Sequence, residues 1–198
     1  MKLNEIYKEF AEKLNEIGYD EDMLVYGDGD ENSPVMLIGE APGKDEVILK
    51  RPFAGKAGKN LDEFLSSTGI NRSSLFISNT VKFRPYKIGS SGRKSNRPPT
   101  KEEIAICADC LRKEIECISP KLIVTLGNTA LKAVCGAECP DNKLTVSECH
   151  GRIVEGFSEY KVFSMYHPAS IIYRRELAEV YAEDMKKLSE LIKEYGIK

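Results

Sequence analysis

The chain has 198 residues, 41% of them hydrophobic and 30% charged, so a single domain with an apolar core is expected and wholesale disorder is excluded. With 15 Gly and 9 Pro it is neither collagen-like nor low-complexity, and no apolar run approaches the roughly 20 residues of a bilayer span, so no membrane association is expected. The net charge of −2 argues against a general affinity for polyanions, until its distribution along the chain is considered.

Leu3, Ile6, Tyr7, Phe10, Leu14 and Ile17 recur at helical spacing and predict an amphipathic helix over 2–18, closed by Gly18. Glu and Lys interrupt that stripe, unlike the apolar core of a signal peptide, so the cell interior is the expected location. A polar connector at 27–33 precedes Val35-Met-Leu-Ile38, a short apolar run ended by Gly39 that suits a strand buried on both faces. Residues 56–68 read as a helix with Leu61, Phe64 and Leu65 as its stripe, and 75–79 as a second strand.

A basic loop over 82–101 follows. Between Glu63 and Glu102 no acidic residue occurs, whereas Arg72, Lys82, Arg84, Lys87, Arg93, Lys94, Arg97 and Lys101 do, leaving a net charge of about −10 for the rest of the chain. A phosphate-binding surface and a merely solvated basic loop are the two readings of this segment. Thr100 followed by Glu103 is a capping-box pattern opening a helix that must stop before Pro120. Residues 122–126 form a third strand, about 129–135 a helix, 162–166 a fourth strand and 172–195 a long terminal helix. This alternation predicts an α/β fold, a three-layer αβα sandwich around a mainly parallel four-stranded sheet.

Six cysteines, Cys107, Cys110, Cys117, Cys135, Cys139 and Cys149, crowd one region, but there is no second CxxC to complete a zinc site, and buried thiols are expected. In parallel α/β folds ligands bind at the carboxyl ends of the strands. Three such ends are chemically distinctive: Gly39-Glu40-Ala41-Pro42-Gly43, Asn79 through Lys82 and Arg84 to Pro85, and His167-Pro168-Ala169-Ser170. Neither GxGxxG nor GxxxxGK[ST] follows a strand, the zinc-deaminase ligands are missing, and no GxSxG elbow occurs.

The motifs GEAPG at 39–43, RPFAGKAG at 51–58, Asn79 with Lys82 and Arg84-Pro85, NRPPTKEE and HPAS stand in the order and at the strand ends typical of one family. The chain resembles the uracil-DNA glycosylase superfamily, most closely its family 4, over roughly residues 35–188. The resemblance implies a hydrolase that flips a uracil, or another deaminated base, out of DNA and cleaves its glycosidic bond, and a monomer working without metal or organic cofactor is expected. It implies that Phe53 stacks on the base and Asn79 reads its edge, with Gly39 and Ala41 lining the pocket. His167 would donate a hydrogen bond to uracil O2, and Glu40 would orient water or stabilise the cationic sugar, with Glu46 as a lesser candidate. Pro42, Gly43, Lys82, Arg84, Arg93, Lys94 and Ser170 would contact DNA, and the protein would be cytoplasmic, on the nucleoid when at work. Open alternatives are a core role for Phe53, a turn-capping role for Asn79, a different deaminated base such as hypoxanthine, and a catalytically weak damage-binding protein.

Two departures stand out. Family 4 implies a four-cysteine iron–sulfur cluster, but here no cysteine precedes Cys107 and Phe83 stands at the third ligand position, so no cluster is expected. The segment from Tyr86 to Arg97 is longer than in the family, reads as a flexible DNA-facing loop, and has no His that could trap the sugar. Protein purified anaerobically should therefore contain no iron and show no charge-transfer absorption; stoichiometric iron by elemental analysis would contradict this.

Overall fold

The apolar runs pair in parallel at the centre of the molecule. The computed structural model describes residues 2–136, 144–156, 158 and 160–195; Cys139 lies outside them. In chain order the elements are α1 (Leu3–Glu16), β1 (Asp28–Gly29), β2 (Val35–Gly39), α2 (Lys44–Leu49), α3 (Lys56–Ser67), β3 (Phe76–Asn79), β4 (Tyr86–Ile88) and β5 (Lys94–Asn96). They continue with α4 (Lys101–Ile118), β6 (Leu122–Leu126), α5 (Asn128–Cys135), α6 (Val146–Cys149), β7 (Ile153–Glu155), β8 (Lys161–Met165), α7 (Ser170–Tyr173) and α8 (Leu177–Glu194).

The four strands read from the sequence, β3-β2-β6-β8, are the parallel centre of a six-stranded sheet in the order β1-β3-β2-β6-β8-β7. Its two edges, β1 and β7, are antiparallel and only two and three residues long, too short for a period-two signal in the sequence. Strand residues alternate between the faces. Met36, Ile38, Ile123 and Val162 pack with α1, α4 and α5, and Val35, Leu37, Val124 and Phe163 pack with α3 and α8. Both faces are thereby covered, which is why these strands read as continuous apolar runs.

The basic segment is not the flexible loop its Gly, Ser and Lys content predicts. Tyr86 pairs with Asn96 and Ile88 with Lys94, making β4 and β5 an antiparallel hairpin whose turn is closed by Gly89 N–H donating to the Arg93 carbonyl at 3.0 Å. The Lys94 ammonium lies 4.3 Å from the centroid of the Tyr86 ring, a cation–π contact across the two strands. The predicted terminal helix is likewise two helices, α7 and α8, broken at Arg174.

The capping box of α4 forms as its sequence requires. Thr100 Oγ1 accepts from Glu103 N–H at 3.2 Å and the Glu103 carboxylate accepts from Thr100 N–H at 2.7 Å. Both terminal nitrogens of Arg97 donate to the same carboxylate at 2.7 Å, holding the Glu103 carboxyl below its ordinary range and tying the hairpin's exit to the helix. Thr100→Ala should lower stability by about 1 kcal/mol, read as a shifted urea midpoint at constant slope; an unshifted midpoint would contradict the cap.

Candidate active site

Parallel register sets Gly39, the last residue of β2, beside Asn79, the last residue of β3. A Cβ on Gly39 would lie 2.5 Å from Asn79 Oδ1 and 2.5 Å from Phe53 Cζ, so the amide and the ring meet above this position because it carries no side chain. Phe53 is buried and holds a left-handed backbone, φ +53°, unusual for a bulky residue. Its surroundings enforce that conformation. Arg72 donates to the Pro52 and Phe53 carbonyls at 2.7 and 3.4 Å while paired with Asp62, and Glu46 accepts from Gly43 N–H and Gly55 N–H, each at 3.1 Å.

The Phe53 ring faces His167, with ring centroids 5.7 Å apart and the planes at 29°. His167 follows β8 in a turn closed by Ser170, whose hydroxyl donates to the His167 carbonyl at 2.6 Å, and Asn60 of α3 donates to the Pro168 carbonyl at 3.2 Å. Ala169 N–H donates to His167 Nδ1 at 3.1 Å, which leaves the proton of the neutral ring on Nε2. Burial pushes the His167 pKa down from 6.5 to about 4, so the imidazole is neutral at physiological pH and offers a donor from Nε2. Gly127, at φ +94°, lets the chain after β6 pass beneath this ring: a Cβ there would sit 3.2 Å from His167 Cβ.

A cleft of about 650 Å³ opens over these strand ends, with Glu40, Ala41, Pro42, Gly127, His167 and Ser170 in its wall. Thr129, in the first turn of α5, donates its hydroxyl to Glu40 Oε2 at 2.5 Å and fixes the carboxylate's orientation. The backbone of this loop is tied to the next strand end, since Val81 N–H donates to the Glu40 carbonyl at 3.0 Å.

Sequence reasoning placed Lys82 wrongly and ranked Glu46 below Glu40. Lys82, expected to contact DNA, has a fully buried side chain whose ammonium is engaged by Glu114, Ser78 and the Asn79 carbonyl, out of reach of any phosphate. Glu46, the lesser candidate for water activation, spends both oxygens on backbone N–H groups and is absent from the cleft wall. The Arg84 guanidinium donates to Asn96 Oδ1 of the hairpin at 2.7 Å, and Arg93 and Lys94 are exposed on that hairpin. Gly43 is partly exposed at the start of α2. Sequence reasoning missed Arg174, in the cleft wall, and Thr129, which is hydrogen-bonded to Glu40 of that wall. The Gly127-Asn128-Thr129 strand end carried a usable signal; Arg174 carried none.

The strand ends of this doubly covered parallel sheet carry a neutral imidazole, an amide, an aromatic ring and an oriented carboxylate, groups with the chemistry to hold a planar, hydrogen-bonding ring. The chain belongs to the Uracil DNA glycosylase superfamily, whose family model matches residues 26–192. It is 38% identical over 170 residues to the type-4 uracil-DNA glycosylase of Archaeoglobus fulgidus, covering 84% of this chain and 81% of that protein. The type-4 uracil-DNA glycosylase of Thermotoga maritima is 35% identical over 175 residues, 87% of this chain and 85% of its own length. That of Sulfurisphaera tokodaii is 36% identical over 171 residues, 84% of this chain and 74% of its own.

The residues present do not fit the iron–sulfur cluster implied by family 4. Phe83 is buried against Tyr19, ring centroids 4.4 Å apart, and bridges to Leu24. Cys107, beside the Lys82 backbone, is pushed up to about 11 by burial and stays a protonated thiol. Among the described residues no three His, Cys, Asp or Glu side chains are grouped to hold a metal.

The depressed His167 pKa has a measurable sign. Burial disfavours the charged ring, so the folded protein resists protonation of His167 down to about pH 4, whereas an unfolded His protonates near 6.5. The stability contributed by the neutral ring is full above pH 6.5 and is lost as pH falls toward 4. A pH titration of urea stability should show this acid loss in the wild type and a shallower one in His167→Ala; identical profiles would contradict the assignment.

Proposed function

We propose that the protein is a uracil-DNA glycosylase that hydrolyses the N-glycosidic bond of deoxyuridine in DNA and leaves an abasic site. The observation that carries this reading is the meeting of the Asn79 amide and the Phe53 ring over Gly39, with neutral His167 facing the ring. A uracil flipped from the stack lies against Phe53. The Asn79 amide, with one acceptor and two donors, complements uracil N3–H and O4; cytosine presents the opposite polarity there and is rejected.

As the C1′–N1 bond breaks, its electron pair moves onto uracil and the sugar becomes cationic. His167 Nε2–H meets the negative charge growing on O2, an interaction stronger in the transition state than in the ground state. Glu40, held by Thr129, meets the cationic sugar and orients the water, whose oxygen bonds to C1′ while one of its protons passes to the uracil anion, which leaves as neutral uracil. The donor is available because Ala169 N–H occupies Nδ1 and leaves the neutral ring's proton on Nε2. The route uses only side chains of this chain. Arg84, Arg93 and Lys94 on the hairpin, Gly43 and Pro42 beside the cleft and Ser170 on the His167 turn position the DNA backbone without reading sequence. One chain supplies every group named, which supports action as a monomer on DNA.

The test is single-turnover excision from single- and double-stranded DNA carrying uracil, hypoxanthine, xanthine or mismatched thymine, with alkali exposing abasic sites. Uracil should be released, and His167→Ala should slow release about 100- to 1000-fold with little change in DNA affinity. Glu40→Gln should also slow it, and the two losses combined should be less than additive. Wild-type rates in a folded His167→Ala protein would overturn this site; binding without excision of any base would leave a damage-binding protein.

A further inference from the structure

Lys82 is a fully enclosed charge beneath the site, and nothing in the glycosylase mechanism uses it. Its side chain has no solvent exposure, and its three ammonium protons have three acceptors: Ser78 Oγ at 2.6 Å, Glu114 Oε2 at 2.6 Å and the Asn79 carbonyl at 2.8 Å. Glu114, on α4, is equally enclosed and also accepts from Ser78 Oγ at 2.8 Å and from Tyr7 of α1 at 2.5 Å. Tyr7 in turn accepts from Gly27 N–H at 3.2 Å. The network is closed, each member spending its hydrogen-bonding capacity on another.

Burying an ammonium with a carboxylate is seldom more stabilising than packing apolar residues of the same volume, so the pair needs a reason beyond stability. One contact leaves the network toward the site. Edge strand β1 pairs with Phe76 and Ile77 and stops there, short of Asn79. The Asn79 carbonyl, at the end of β3, is taken up by the Lys82 ammonium instead. From that anchored residue the side chain reaches over Gly39 to Phe53.

We propose that Lys82 is a positioning residue for uracil recognition: with Glu114 and Tyr7 it clamps the Asn79 backbone so that the amide is held in register with the flipped base. The inference rests on Asn79 reading the base. A base-reading amide has to be held to within about half an ångström, and a misplacement of about 1 Å can cost about 100-fold in rate. Because the clamp includes a residue of α1, the first helix contributes to recognition although it does not reach the cleft wall.

The decisive experiment is a mutant cycle with the full chain. Tyr7→Phe, Lys82→Met and Glu114→Leu combined replace the network by apolar groups of similar size and should melt near the wild-type temperature. Single-turnover uracil excision by this triple variant should fall about 100-fold, with unchanged affinity for DNA carrying a tetrahydrofuran abasic-site analogue. In an Asn79→Ala background the same three replacements should cause no further loss, because their effect runs through the residue already removed. An equal additional loss in that background, or a wild-type rate in the folded triple variant, would overturn the proposal. Should the triple variant not fold, Glu114→Gln, which keeps the side chain's shape, takes its place in the same cycle with the same criteria. A wild-type rate for Asn79→Ala alone would instead bring down the base-reading assignment, a failure distinct from that of the clamp.

Discussion

Register in the parallel sheet is the constraint on which the site depends. A slip of one residue between β2 and β3 would take Gly39 away from Asn79 and turn the apolar residues of both strands to the wrong faces. With the register kept, the missing side chain at Gly39 lets an amide from one strand end and a ring from the following loop meet in contact. The layers of the sandwich protect that register, since Met36 and Ile38 lock into one helical layer while Val35 and Leu37 lock into the other.

Strain and charge are then distributed around this point. Phe53 keeps its left-handed backbone because Arg72 holds the carbonyls of Pro52 and Phe53 while Glu46 joins the two loops that flank the ring. The positive charges of the basic interval fall into two sets. Arg72, Lys82 and Arg97 turn inward to carboxylates and brace the scaffold, whereas Arg84 bonds to Asn96 of the hairpin and Arg93 and Lys94 are exposed on it. A strip of cations that looks uniform in the sequence is thus divided between inward-facing braces and outward-facing charges.

The relatives of this chain include several type-4 uracil-DNA glycosylases, yet the place where family 4 implies a metal cluster is filled here by aromatic packing. Tyr19 on Phe83, with Leu24 alongside, anchors the segment leading from the N-terminal helix to the strand that carries Asn79 by apolar contact. Together with the Lys82–Glu114 network a few residues away, it fastens the same segment from beneath by two unlike means, one apolar and one ionic.

The sequence by itself determined the parallel α/β core, the three chemically distinctive strand ends and Glu40, Phe53, Asn79 and His167 as the residues to watch. These were legible because they rest on local pattern: apolar runs, capping pairs and short motifs of fixed spacing. What it could not determine was the partner of each charge. Lys82 and Arg84 are two residues apart in one basic run, yet one ammonium is enclosed by Ser78, Asn79 and Glu114 while the other cation stands on a hairpin. The sequence ranks Glu40 above Glu46 on its motif alone; the Thr129 hydroxyl that orients Glu40 in the cleft wall comes from a distant helix. The tautomer of His167 and the left-handed backbone of Phe53 belong to the same class. Each depends on which groups from distant segments converge on one residue, and that is settled by how the helices and loops close over the sheet, not by local spacing.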